Sequence, residues 1–90
     1  MKELEKKVVH DLIKFYEFYL KSDNEIMIKE KAEQIYGPYI QATTLLSNEV
    51  IGFISSLVNI CVPTGFPQPT KEEAKKILEK LKKLQKELGQ

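Results

Sequence analysis

Between Tyr39 and Val62 the chain carries a single charge, Glu49, although 30% of its residues are charged overall. A segment so poor in charge must be wrapped by other elements or cross a bilayer, and this choice constrains the fold more than any other feature. A bilayer crossing needs ~20 predominantly apolar residues. Here the apolar positions are interspersed with Gln41, Thr43, Thr44, Ser47, Asn48, Ser55, Ser56 and Asn59, and Glu49 sits mid-segment. The expectation is a buried helix at the centre of a helical domain, with no membrane span. Ile40, Leu45, Leu46, Val50, Ile51, Phe53, Ile54, Leu57 and Val58 predict a helix over 38–60, and Gln41, Thr44, Asn48, Gly52, Ser55 and Asn59 form its narrow polar seam.

The flanking segments predict the elements that wrap it. Over 2–21, Leu4, Val8, Leu12, Phe15 and Tyr19 recur at spacings of four and three, and Val9, Ile13, Tyr16 and Leu20 form a second stripe beside them. Such a pattern is an amphipathic helix with a wide buried face. Phe18 falls on the polar side of that pattern. Ser22 with Glu25 matches a capping box, and Asp23 is an alternative cap, so a second helix is expected over 24–36 with Ile28, Ala32 and Ile35 inward. Gly37-Pro38 then kinks the chain or restarts it, with Pro38 in the first turn of the third helix.

Three prolines and a glycine within 63–70 predict an ordered turn or stiff linker. Thr70 and Glu73 make a second capping box, opening a last helix over 71–88 in which Ala74, Ile77, Leu81, Leu84 and Leu88 alternate spacings of three and four. Gly89 is placed to stop it. The fold class expected is all-α, an antiparallel four-helix bundle with a buried third helix, formed by a single domain over 1–90.

Composition removes several function classes. One cysteine and one histidine cannot build a Cys/His zinc cluster within one chain, and Cys61 has no internal disulfide partner. A reducing, cytoplasmic compartment is the default, and the charges spread through the first fifteen residues leave no export signal. All 14 basic residues are Lys and the net charge is +1, which disfavours nucleic acid because arginine forks are missing. Enrichment in Lys, Glu and Ile suits a thermophile or an AT-rich genome.

Catalytic motifs are also missing from the pattern. His10 and Asp11 are adjacent and point about 100° apart on a helix, so they cannot form a base and its orienter. Cys61 ends an apolar run, where it behaves as a small hydrophobe. The four glycines stand apart at 37, 52, 65 and 89, so no phosphate loop is present. The chain is expected not to be an enzyme.

Two features carry binding chemistry. Asp23, Asn24 and Glu25 concentrate oxygen donors between the first two helices, where a hard cation such as Ca2+ is the candidate ligand, although the spacing fails the EF-hand pattern. The bland alternative is plain helix capping. The last helix with its Leu-rich stripe (Ile77, Leu81, Leu84, Leu88) and the two oddly placed rings, Phe18 and Phe66, form the candidate partner-binding surface. The leading expectation is a non-enzymatic interaction module that self-associates or docks a partner. Calcium-type cation binding and carriage of a lipid or other apolar ligand are the alternatives.

The run Val62-Pro63-Thr64 through Pro69-Thr70-Lys71-Glu72-Glu73, followed by Ile77, Leu81, Leu84 and Leu88, resembles the C-terminal end of phasins and of the accessory subunit of class III polyhydroxyalkanoate synthases. Those proteins are similar in placing an apolar helix, a short Pro-Thr-basic-x-acid opening and a Leu-heptad helix in that order. The resemblance spans about the last third of the chain, with an extra Gly65 to Gln68 insertion here. It implies a non-catalytic helical protein associated with a polymer granule or a synthase. As a whole the chain also looks like small uncharacterised helical proteins of thermophilic archaea, which implies no activity.

Overall fold

The computed structural model describes residues 2–62, 65 and 67–89, and among them all regular structure is helical. Helix α1 spans Lys2–Lys21, α2 Glu25–Ile40, α3 Asn48–Ser56, α4 Val58–Cys61 and α5 Lys71–Glu87, with a 3-10 turn at Thr43–Leu45. The first and last long helices follow their sequence patterns closely. The middle of the chain does not.

Pro38 lies inside α2, which continues to Ile40. A residue before proline normally avoids the helical region because its Cβ meets the pyrrolidine ring. Residue 37 is glycine and has no Cβ, so the helix passes through and neither kinks into a new element nor restarts. The uninterrupted helix expected over 38–60 is therefore replaced by several pieces. Ser47 caps α3 by accepting a hydrogen bond from the Val50 amide at 3.4 Å. At the other end the Ser56 hydroxyl donates to the Phe53 carbonyl at 2.8 Å, and the Leu57 amide bonds to Ile54 at 3.1 Å. That side-chain competition and tightened last turn separate α3 from the single turn of α4.

The centre of the core is also displaced from its expected place. Val8, Val9, Leu12 and Tyr16 of α1 retain no exposed surface, and Ile13, Phe15 and Tyr19 are buried beside them. Helix α1 packs on α5, α2 and α3. By contrast α3 buries only Val50 and Ile54, while Glu49, Gly52, Ser55 and Ser56 are exposed. The expected buried third helix is thus corrected: the centre of the core is the wide apolar face of α1, whose opposite side is exposed. Weak charge in 39–62 reflected its Ser, Thr, Asn and Gly content, which water tolerates, whereas the two apolar stripes of α1 have to be covered on both sides.

Helices α1 and α5 run antiparallel. Lys71 at the start of α5 reaches Tyr19 and Ser22 at the end of α1, while Lys6 Nζ comes within 3.9 Å of where a side chain at Gly89 would begin. The expected capping box of α5 is present: Thr70 Oγ1 accepts from the Glu73 amide at 3.1 Å, and Glu73 Oε1 accepts from the Thr70 amide at 2.9 Å. Those bonds, from the backbone first, hold the Glu73 carboxyl below its usual range. Gly89 closes the helix at φ 89°, a left-handed conformation that glycine adopts without steric cost. Among the described residues no helix is long and apolar enough to cross a membrane.

Candidate functional site

Two of the three residues proposed for cation binding, Asp23 and Asn24, have a definite employment at the junction of α1 and α2. Asn24, rather than Ser22 or Asp23, caps α2, its Oδ1 accepting from the Met27 amide at 3.1 Å. The Ser22 hydroxyl accepts from the Asn24 amide at 3.1 Å, which shapes the turn. A cation does sit among these oxygens, and it is the ammonium of Lys71. Its Nζ donates to the carbonyls of Tyr19 and of Ser22, the latter at 2.8 Å, and lies 3.8 Å from Asp23 Oδ1.

The reason lies in the end of a helix. The last carbonyls of α1 lack main-chain partners and carry the negative end of its dipole, so they draw a positive group with several donors. Lys71 arrives from the first turn of α5, positioned by the Thr70 cap, and also lies 5.1 Å from the centre of the Tyr19 ring. The Tyr19 hydroxyl in turn donates to the Pro69 carbonyl. Asp23 and Glu25 line a shallow cleft of about 160 Å³ with Tyr19, Ser22, Ile28, Gln68 and Lys71. Among the described residues no three His, Cys, Asp or Glu side chains gather around a point where a metal ion would fit.

This arrangement makes the junction a tie between three helices. Replacing Lys71 with Met keeps the length of the stem and removes the charge. Hydrogen bonds to charged groups contribute about 1.5–3 kcal/mol when shielded, but this side chain is half-exposed and water substitutes in part, so the expected loss is about 1–2 kcal/mol. Millimolar Ca2+ is expected to leave the melting temperature of the unaltered chain unchanged, because its oxygens already hold an ammonium. A rise in melting temperature with Ca2+ would restore the cation reading.

The apolar stripe of the last helix faces inward. Leu81 and Leu84 are buried, Ile77 and Leu88 are half-buried, and all four pack with the main core. Within the chain these residues belong to the core that α5 forms with α1, and Leu81 and Leu84 are spent there. Leu78, which the heptad pattern passes over in favour of Ile77, is the more deeply buried of that pair. Phe18 is half-buried with Lys31 Nζ 4.9 Å above its ring. Together with Asp11, Lys14, Phe15, Gln34 and Ile35 these two line a groove of about 290 Å³ between α1 and α2. Asp11 is engaged there by the Tyr39 hydroxyl at 2.7 Å. Phe66 lies outside the described residues.

Cys61 is buried, and burial first, then the Glu33 charge, pushes its thiol up to about 11. Thiolate is therefore scarce near neutrality, the opposite of an activated nucleophile. His10 is exposed on the outer side of α1.

One feature escaped the sequence reading. Ile26 is 73% exposed and its neighbour Met27 43%, both in the first turn of α2. Their signal was available, because Ile26 stands two residues before Ile28 and hence about 200° around the helix from the buried stripe. An apolar residue that breaks register is easily absorbed into a generally apolar run. No protein-family model matches the chain, and no curated protein or solved structure does so.

Proposed function

We propose that the chain is a non-enzymatic helical interaction module, an antiparallel four-helix bundle that docks through the outer face of α2. The observation that carries this reading is Ile26. At an exposed helical position intrinsic propensity decides which residue is best, and β-branched isoleucine is inferior there to Ala, Glu or Lys. Neither propensity nor burial within the chain accounts for it. Covering Ile26 would bury apolar area contributing about 1.5–3 kcal/mol, and the adaptable thioether of Met27 beside it suits an irregular contact. The phasin resemblance of the last third implies a non-catalytic association of the same general kind.

A carrier of an amphipathic anion is the second reading. The α1–α2 groove favours it, with Phe15, Phe18 and Ile35 as apolar walls and Lys14 and Lys31 as cations. Its volume of about 290 Å³ sits at the lower limit of small-molecule sites, about 300–1,000 Å³, which ranks it below docking.

The test compares the unaltered chain with the double variant Ile26→Glu, Met27→Glu as baits in extracts of the source cell. Both positions are exposed, so the two proteins are expected to melt within about 0.5 kcal/mol of each other. A protein retained by the unaltered bait and lost by the variant supports the reading. Identical retention by both sinks it.

A further inference from the structure

The two outermost helices carry complementary charge on faces the fold leaves uncovered. On α2, Ile26, Glu30, Glu33 and Gly37 follow at spacings of four, three and four, which sets them along one face, and all are exposed. On α5, Lys75, Glu79, Lys82 and Lys86 follow at spacings of four, three and four along one exposed face, on which Lys82 and Lys86 form an uninterrupted basic pair. Among the described residues the ion pairs are Lys6 with Glu3 and Lys71 with Asp23, so Glu30, Glu33, Lys82 and Lys86 are held in no ion pair. Both helices pack on α1, which holds the acidic stripe and the lysine stripe apart.

We infer that copies of this chain associate head to tail, the Glu30 and Glu33 stripe of one docking on the Lys82 and Lys86 stripe of the next. The inference rests on the docking role of α2 proposed above and supplies its partner. At 1.5 Å of rise per residue, Glu30 and Glu33 are about 4.5 Å apart along the axis and Lys82 and Lys86 about 6 Å, a mismatch that flexible lysine stems absorb. Ile26, one turn before Glu30, then meets the methylene stems of the opposing lysines. The contact joins two different surfaces, so a docked pair still presents one free stripe of each sign and the assembly grows as an open chain rather than closing into a two-fold dimer.

A second copy fits better than an anionic polymer or membrane. Four glutamates share α5 with its seven lysines, which blunts attraction to a uniformly negative surface, and no arginine is present to fork a phosphate. An acidic stripe such as that of α2 would also be repelled by either one. Exposed ion pairs are individually weak and screened by salt, so the association is weak and steeply salt-dependent.

Sedimentation velocity of the full chain is the experiment, with the Debye length set to ~30 Å at about 0.01 M salt and ~3 Å at about 1 M. The expected result is a weight-average sedimentation coefficient that climbs with protein concentration at low salt and stays at the monomer value at high salt. Glu30→Lys with Glu33→Lys, and separately Lys82→Glu with Lys86→Glu, should each remain monomeric. Their equimolar mixture should recover association, because every junction then again joins opposite charges. A control pair on the other flank of α5, Lys76→Glu with Lys83→Glu, carries the same change in net charge and should still associate alone. All exchanged positions are exposed, and circular dichroism verifies that each variant folds. A monomer at every concentration in low salt overturns the inference, as does association that survives in both stripe variants. Binding to anionic vesicles without self-association overturns it too. If the chain proves monomeric while Ile26-dependent capture persists, self-association falls and the docking reading stands.

Discussion

Leu81→Ala is expected to lower stability by about 2–5 kcal/mol, the range for removing a leucine from a packed core. Leu81 has no exposed surface and belongs to the main core, where α5 packs on α1. Domains of this size are stable by only about 5–15 kcal/mol, so the loss is a large share of the total. At about 4–8 °C per kcal/mol for a chain of this length, the melting temperature should fall by at least about 8 °C. A thermal melt followed by circular dichroism measures it. Were Leu81 a docking residue, as the heptad pattern taken alone suggests, the variant would melt with the parent and lose only association. Leu88→Ala provides the comparison, since that residue is half-buried at the C-cap of α5 and should cost appreciably less.

Alkaline titration should unfold the chain, beginning above pH 9. Cys61 is raised from 9.0 to about 11, by burial and then by the Glu33 charge. Tyr39 is raised from 10.0 to about 12, by burial and then by its hydrogen bond to Asp11. Tyr16 is also raised, chiefly by burial. In each case the folded state holds its proton more tightly than the unfolded state does. The resulting stabilisation is complete below the unfolded pKa and is lost as pH climbs to the folded one. The windows are therefore about pH 9–11 for Cys61 and 10–12 for Tyr39. Urea midpoints measured from pH 7 to 12 should hold level near neutrality and then decline. Cys61→Ala should flatten the lower part of that decline and Tyr39→Phe the upper part. A midpoint that stays level to pH 12 would mean that these groups are solvated in the folded chain.

How far the sequence could be followed depended on whether the deciding interaction was local. Helix α5 was legible to within a residue because Thr70 and Glu73 bond to each other and Gly89 needs only its own φ. Helix α1 was legible because two adjacent apolar stripes leave one way to bury both. The run 38–60 departs from the single helix its apolar periodicity predicts, because Gly37 permitting Pro38, Ser47 capping and Ser56 back-bonding set the breaks. Each of those signals was present and weaker than the periodicity that overrode it.

The candidate site was less legible than the fold. Asp23, Asn24 and Glu25 are adjacent oxygen donors in the sequence, but the group that lies beside Asp23 and Ser22, Lys71, is distant in sequence and only the docking of α5 on α1 brings it there. Ile26 shows the converse, since its outward orientation follows from register with Ile28.

By itself the sequence determined the all-helical class, the extents of α1 and α5, and the caps at Thr70 and Gly89. Those properties follow from backbone geometry, side-chain spacing and residue inventory, all of which operate over a turn or two of chain. Tertiary structure alone decided that α1 is the core, that Leu81 and Leu84 face inward, that an ammonium fills the α1–α2 junction, and which charged stripes remain uncovered. Burial and electrostatic pairing are properties of surfaces brought together across the molecule, and the spacing of residues along one helix does not say which neighbour will cover it.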